Sequence, residues 1–136
     1  MATRSTIAVM HGPIIKAISV HWDGYLKHVG FTLFHHYSSE RANMLVSLGD
    51  LSVLGRRIEP TLESGHSLNK PEKDVCVFYG RDNGESNTEY SVFESIEDFV
   101  TGMYMGGAEY FYLMRDGQWF VSTGKEFTLL QEELAE

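Results

Sequence analysis

Residues 109–123, EYFYLMRDGQWFVST, decide the fold. The pair Asp116-Gly117 separates two aromatic-rich apolar runs, and Asp-Gly in such a position is a strong β-hairpin signal. The stretch therefore predicts strands at Glu109–Met114 and Gln118–Thr123 and, with them, an antiparallel sheet.

Other short apolar runs on the N-terminal and C-terminal sides of this stretch predict further strands. Thr6–Met10 and Ile14–Trp22 flank His11-Gly12-Pro13 and predict a second hairpin. Three more runs have strand composition and are bounded by polar segments: Val75–Tyr79, Thr88–Phe93 and Phe127–Leu130.

Three segments have helical spacing of apolar residues. Asp23 is a candidate N-cap for a helix over Gly24–Tyr37, and Ser38-Ser39 for a helix over Glu40–Leu48 that ends at Gly49. Ser95 precedes the clearest apolar stripe, which is made of Ile96, Phe99, Val100, Met103 and Tyr104.

These elements predict one α+β domain over residues 1–136. Because the strands adjoin in hairpins, we expect a mostly antiparallel sheet with about three helices packed on one face. The connections are expected to be a turn at Asp50–Leu54, a long surface loop at Arg56–Asp74, a polar loop at 80–87 and a frayed tail at Gln131–Glu136.

Composition restricts the classes of function. The 136 residues carry a formal charge of −8, which disfavours direct nucleic-acid binding because such binding depends on Lys and Arg neutralising phosphates. No apolar run is long enough to span a bilayer and no signal peptide is evident, so a cytoplasmic protein is expected. The single cysteine, Cys76, lies in an apolar strand and is expected to be buried.

One segment is dense in side chains suited to binding: His21-Trp22-Asp23-Gly24-Tyr25, with His28 a helical turn beyond. It lies where a strand meets a helix, a setting that exposes backbone N–H groups to anions. Trp22 and Tyr25 would stack on a ligand while the histidines donate hydrogen bonds. In the alternative interpretation Trp22 fills the core, Asp23 is only a cap and Tyr25 packs.

A second candidate lies at the end of another strand, in Phe78-Tyr79-Gly80-Arg81-Asp82. Arg81 would clamp a carboxylate or phosphate through its planar guanidinium, with Tyr79 and Asp82 beside it. The alternative is an Arg81–Asp82 turn with solvated charges.

The sequence predicts neither a metal site nor a cofactor. His21, His28 and His35 are seven residues apart, about 10 Å along a helix, which is too far for one ion. The chain also lacks a P-loop, a nucleophile elbow and a dinucleotide-binding glycine pattern.

Several segments together resemble a family of small, largely uncharacterised proteins encoded by bacteriophages and prophages. The segments are 3–7 (TRSTI), 21–25 (HWDGY), 48–52 (LGDLS), 78–82 (FYGRD) and 107–112 (GAEYFY). The resemblance implies a phage origin and expression in the bacterial host cytoplasm, and it implies no reaction.

The leading hypothesis is therefore a phage accessory protein, more a binder than an enzyme, that inhibits or sequesters a host or defence component. The ligand would be a protein or a nucleotide-like molecule held by His21–Tyr25 with Arg81. One alternative is a small hydrolase or transferase in which His21 or His28 is a general base oriented by Asp23. Another is an acidic nucleic-acid mimic, and a homo-oligomer is left open.

Overall fold

The structure is a computed structural model that describes residues 2–61 and 63–135. In this part of the chain eight strands form a single sheet. The strands are β1 (Ser5–His11), β2 (Ile14–Val20), β3 (Leu51–Val53), β4 (Val77–Phe78), β5 (Ser91–Phe93), β6 (Tyr110–Arg115), β7 (Gln118–Ser122) and β8 (Thr128–Leu129).

The sheet runs in the order β4-β3-β2-β1-β6-β7-β8, and β5 pairs with β2 beside β3. The pairs β1–β6 and β2–β3 are parallel, whereas the remaining pairs are antiparallel. The α+β class, the mostly antiparallel sheet and both predicted hairpins are confirmed. The parallel pair β1–β6 joins the two hairpins through the first strand of each.

The helical segments connect or follow these strands. One π-helical turn (Leu26–Gly30), called the π-turn below, runs directly into α1. The α-helices are α1 (Phe31–His36), α2 (Ser39–Ser47), α3 (Tyr79–Asn83), α4 (Ile96–Met105) and α5 (Leu130–Leu134).

The sheet is covered on both faces, because successive side chains of a strand point in opposite directions. In β1, Ile7 and Val9 join a core with the π-turn, α1, α2 and α5, while Ala8 joins a second core with α4. Phe99 of α4 is fully buried in that second core. The helices therefore do not all pack on one face as expected, because α4 lies opposite the π-turn, α1, α2 and α5.

Local capping explains where two helices begin. The Ser38 hydroxyl accepts a hydrogen bond from the Arg41 N–H at 3.3 Å, and the Ser95 hydroxyl accepts one from the Asp98 N–H at 3.0 Å. Both caps are as predicted. Gly49, which follows α2, has φ of 94°, a conformation that favours glycine.

The prediction that Asp23 caps the first helix is wrong. Asp23 has φ of 57°, the helical segment begins at Leu26, and its N-cap residue Tyr25 makes no side-chain cap bond. The physical reason lies at Gly24, whose N–H donates to the Thr3 carbonyl at 2.9 Å and whose carbonyl accepts from the Tyr112 hydroxyl at 2.7 Å. These contacts with Thr3, just before β1, and with Tyr112 of β6 set the backbone of the junction.

Three expected irregular segments contain regular structure. Residues 51–53 form β3, and a one-turn helix, α3, occupies the first part of the predicted polar loop. Helix α5 begins at the buried Leu130, the last residue of the predicted strand Phe127–Leu130, and continues through Leu134 into the segment Gln131–Glu136 that was expected to fray. Glu136 lies outside the described residues. Such short elements have too few residues for a recognisable period.

No helix in the described ranges is both long and apolar enough to cross a membrane.

Candidate functional site

His21, the first residue of the predicted cluster, directs both ring nitrogens to neighbouring side chains. Its Nε2 accepts a hydrogen bond from Nη2 of Arg4 at 3.3 Å, since a guanidinium can only donate. Its Nδ1 therefore carries the ring proton and donates to the Tyr79 hydroxyl at 2.8 Å. Partial burial, with the Arg4 charge, lowers the pKa of His21 below its ordinary value. The imidazole is neutral at pH 7.

This arrangement leaves His21 without a free lone pair for a general base. The enzyme hypothesis required Asp23 to orient the ring, but Arg4 and Tyr79 hold it instead. The sequence pattern did not single out Arg4, which is 17 residues away and reaches the site only because β1 and β2 form a hairpin.

Trp22 and Tyr25 are both on the surface, so the alternative in which Trp22 fills the core is wrong. Trp22 is 42% exposed and Tyr25 is 41% exposed. The Trp22 ring stacks on His21, with centroids 4.5 Å apart and planes 3° apart. Tyr25 is 6.3 Å from the His28 ring, nearly edge-on. Both aromatic side chains are therefore held in place by histidines and accessible to a partner.

His28 projects from the π-turn toward a recess of about 310 Å³ beneath the Arg56–Asp74 loop. Its Nδ1 is buried and has no hydrogen-bond partner within the described chain. Thr32, Leu54 and Val75 also line the recess. Single π-helical turns are frequent at functional sites, because they displace side chains from the regular helical positions.

Arg81 lies in a separate network, away from Trp22. Its Nη1 donates to the Ile58 carbonyl at 2.6 Å and its Nη2 to the Cys76 carbonyl at 3.0 Å. Its Nε and Nη2 donate to the two carboxylate oxygens of Asp82 at 2.8 and 3.0 Å. The guanidinium also lies over the Phe78 ring, 4.7 Å from the centroid. Of the second candidate segment, only Tyr79 reaches the His21 cluster.

Asp82 and His66 complete this network beneath the loop. Their side chains are 5% and 1% exposed, and His66 Nε2 is 3.3 Å from the Asp82 carboxylate. The same nitrogen is 3.0 Å from the Cys76 carbonyl, while His66 Nδ1 accepts the Glu72 N–H at 2.9 Å. Burial raises the pKa of Asp82, but the bonds from Arg81 and the Phe78 N–H outweigh it, and the net shift is downward. The alternative of solvated turn charges therefore does not describe Asp82.

The sequence pattern missed the exposed aromatic residues of α1. Phe31 is 49% exposed and Phe34 is 37% exposed, while Leu33 between them is fully buried. The His35 ring contacts both, with centroid distances of 4.2 Å to Phe31 and 5.0 Å to Phe34. The available signal was the spacing, because positions 31, 34 and 35 share a helix face that differs from the buried one.

We call this set of rings, in which His28 is half-buried and the others are exposed, the aromatic surface. It comprises Trp22, Tyr25, His28, Phe31, Phe34 and His35. Between residues 22 and 35 it contains a single acidic residue, Asp23, and a single lysine, Lys27. The strongly acidic character of the whole chain is thus absent from this segment.

The comparisons with known proteins add no functional assignment. No protein-family model, curated protein or solved structure matches this chain. Across residues 2–61 and 63–135, no group of three or more His, Cys, Asp or Glu side chains is arranged to hold a metal ion.

Proposed function

We propose that this protein acts by binding a partner protein through the aromatic surface. The observation that supports this is the placement of accessible apolar rings: Trp22, Tyr25, Phe31 and Phe34 lie in 13 consecutive positions. Single exposed apolar residues are common on protein surfaces, whereas several large ones in one short segment favour an interaction site.

The residue types favour a protein partner. Trp and Tyr are enriched among residues that contribute most to protein–protein affinity, because their rings bury a large area with few rotatable bonds. The rings of Trp22 and Phe31 are already ordered by contacts with His21 and His35. Such order lowers the entropy cost of binding.

The charge distribution supports the same interpretation. The chain carries a net charge of −8, yet the segment that carries the aromatic surface, residues 22–35, has one carboxylate, Asp23, and one lysine, Lys27, so the segment itself adds no net charge to the contact. The resemblance to bacteriophage proteins suggests that the partner is a bacterial host or defence protein, which binding would inhibit or sequester.

The experiment is affinity capture from bacterial lysate followed by titration of the purified partner. The double variant Trp22→Ser/Phe31→Ser should lose the partner, with affinity falling by about 100-fold or more. A matched control is Tyr104→Ser/Met105→Ser on α4, which removes apolar side chains that are 68% and 82% exposed, and it should bind normally.

The thermal stability of both double variants should remain near that of the parent, because the replaced side chains lie on the surface. Capture that is unaffected by Trp22→Ser/Phe31→Ser, or that is lost in the α4 control, would contradict the proposal.

A further inference from the structure

A second concave site lies on the same face of the sheet, at the corner between α1 and α2. The cleft has a volume of about 530 Å³, within the range of about 300–1,000 Å³ typical of small-molecule sites. Its walls include Phe34, Met114, Trp119 and Leu129, contributed by α1, the β6–β7 hairpin and β8. It shares Phe34 and His35 with the aromatic surface, whose other members lie outside its lining: Trp22, Tyr25, His28 and Phe31.

The polar lining of the cleft is neutral or cationic. It consists of His35, His36, Ser38, Arg41, Gln118 and Gln131, with no carboxylate among the lining residues. The acidic neighbours Glu40, Asp116 and Glu132 are exposed and lie outside this lining. In a chain of net charge −8, this cleft is a place where an anion meets a fixed positive charge.

Arg41 is held rigidly at the wall of the cleft. Its guanidinium carbon is 4.4 Å from the centroid of the Tyr37 ring. Nη1 donates to the His36 carbonyl, and Nη2 donates to the Arg56 carbonyl at 3.0 Å. These bonds use two of the five N–H groups of a guanidinium, so others remain for a carboxylate or phosphate. A preordered fork of this kind suits bidentate recognition of such groups.

We propose that this cleft binds a small organic anion that carries a planar ring. The anionic group pairs with Arg41, the ring packs against Phe34 and the apolar wall, and the amides of Gln118 and Gln131 supply neutral hydrogen bonds. Aryl carboxylates and nucleoside monophosphates share this chemistry, and the choice of probes separates them.

The test is fluorescence titration in a Trp22→Phe background, where Trp119 at the cleft is the remaining tryptophan. The probes are AMP and salicylate, with adenosine and inorganic phosphate as the two halves of AMP. We expect saturable binding of AMP or salicylate at concentrations below about 5 mM, and at least about tenfold weaker binding of the halves.

Gln118→Glu is the decisive variant, because it adds a carboxylate at an exposed lining position without changing the size of the side chain. Binding should weaken by about tenfold or more, since like charges repel. Asn69→Asp adds the same charge in the exposed loop and should leave binding unchanged. Arg41→Gln should also abolish binding, with circular dichroism confirming that the helices remain.

Three results would overturn the proposal: no saturable binding of either probe, binding unaffected by Gln118→Glu, or equal binding of the ring and phosphate halves. The outcome is separable from that for the aromatic surface. Trp22→Ser should weaken binding of the protein partner and leave the small anion bound, because neither Trp22 nor His21, on which it stacks, lines the cleft.

Discussion

At the scale of single residues, packing alone explains why the HWDGY segment, residues 21–25, has a glycine at position 24. A Cβ at this position would lie 2.6 Å from Ser5 Cβ and 2.9 Å from the Thr3 carbonyl oxygen. The strand–helix junction is therefore pressed against the start of β1, and Gly24 is needed for close approach to that strand. The exposed neighbours Trp22 and Tyr25 remain free for binding.

Gly24→Ala should lower the free energy of unfolding by about 1–3 kcal/mol, because an added methyl group meets backbone and side-chain atoms at once. Urea denaturation followed by circular dichroism measures the loss. Gly106→Ala is the matched control, since its Cβ would have only one neighbour at the distance of ordinary contact, 3.4 Å. A Gly24→Ala protein as stable as the control would contradict the packing argument.

The effect of Arg81 on stability distinguishes a structural role from the predicted role as an anion clamp. Arg81→Ala leaves the buried Asp82 carboxylate without its cation, so we expect a destabilisation of about 3 kcal/mol. Arg56→Ala breaks an ion pair with Asp74 in which the Arg56 side chain is 58% exposed, and it should cost less than about 1 kcal/mol. Equal urea midpoints for the two variants would mean that Arg81 contributes no more to stability than the exposed Arg56 does.

At the scale of elements, the loop over residues 56–74 is fastened by acidic side chains. The Glu72 carboxylate accepts from the Thr61 N–H at 2.9 Å and the Thr61 hydroxyl at 2.8 Å, and Arg57 donates to it at 2.6 Å. His66 and Asp82 hold the loop from beneath. A segment with few regular hydrogen bonds is thereby ordered by side chains.

These contacts predict a pH-dependent loop. The hydrogen bonds from Thr61, with those from Ser64 and Arg57, lower the pKa of Glu72 from 4.5 to about 2, and the pKa of Asp82 is also lowered. A carboxylate whose pKa is depressed by folding stabilises the folded form above its unfolded pKa and loses that effect as the pH falls. The loop should stay closed at pH 5 and above, and loosen between about pH 4.5 and 2.

Hydrogen exchange of the loop amides across this pH range, corrected for intrinsic exchange, measures the opening. Glu72→Gln should show faster exchange already at pH 7, with a weaker pH dependence below pH 4.5. Loop protection that is constant down to pH 2 in the parent would disprove the assignment of these carboxylates as fasteners.

At the scale of the whole molecule, one sheet joins two hydrophobic cores. Neighbouring residues of β6 divide between them, with Tyr112 and Met114 on one face and Phe111 and Leu113 on the other. Loss of packing on either face therefore affects the strands that support the other. This coupling predicts that the chain unfolds cooperatively, as expected for the single domain inferred from the sequence.

Phe99→Ala should lower the free energy of unfolding by about 3–5 kcal/mol, because Phe99 is fully buried between α4 and the sheet. The loss should be the same whether measured by far-ultraviolet circular dichroism or by Trp119 fluorescence from the opposite face, in the Trp22→Phe background. Tyr104→Ala, on the same helix but 68% exposed, should change stability by less than about 0.5 kcal/mol. Non-coincident transitions for Phe99→Ala would show that the two faces unfold separately.

The candidate site was only partly predictable from the sequence. The junction His21–Tyr25 was found because unusual side chains are adjacent in the chain, and the exposure of Trp22 and Tyr25 agrees with that hypothesis. The partners of His21 could not be found in this way, since Arg4 and Tyr79 approach it only through the hairpin and the start of α3. The cleft beside Arg41 joins three separate segments of the chain, residues 34–41, 114–119 and 129–131, so no local pattern reveals it.

By itself, the sequence determined the hairpins, the caps of α2 and α4 and the α+β class, because these depend on turn residues and periodicity within about ten positions. Only the tertiary structure decided that β1 and β6 pair in parallel, that α4 covers the opposite face, and that Arg81 fastens a loop. Those outcomes depend on contacts between residues that are distant in the chain. Their energies come from burial and hydrogen bonding that exist only once the sheet has formed.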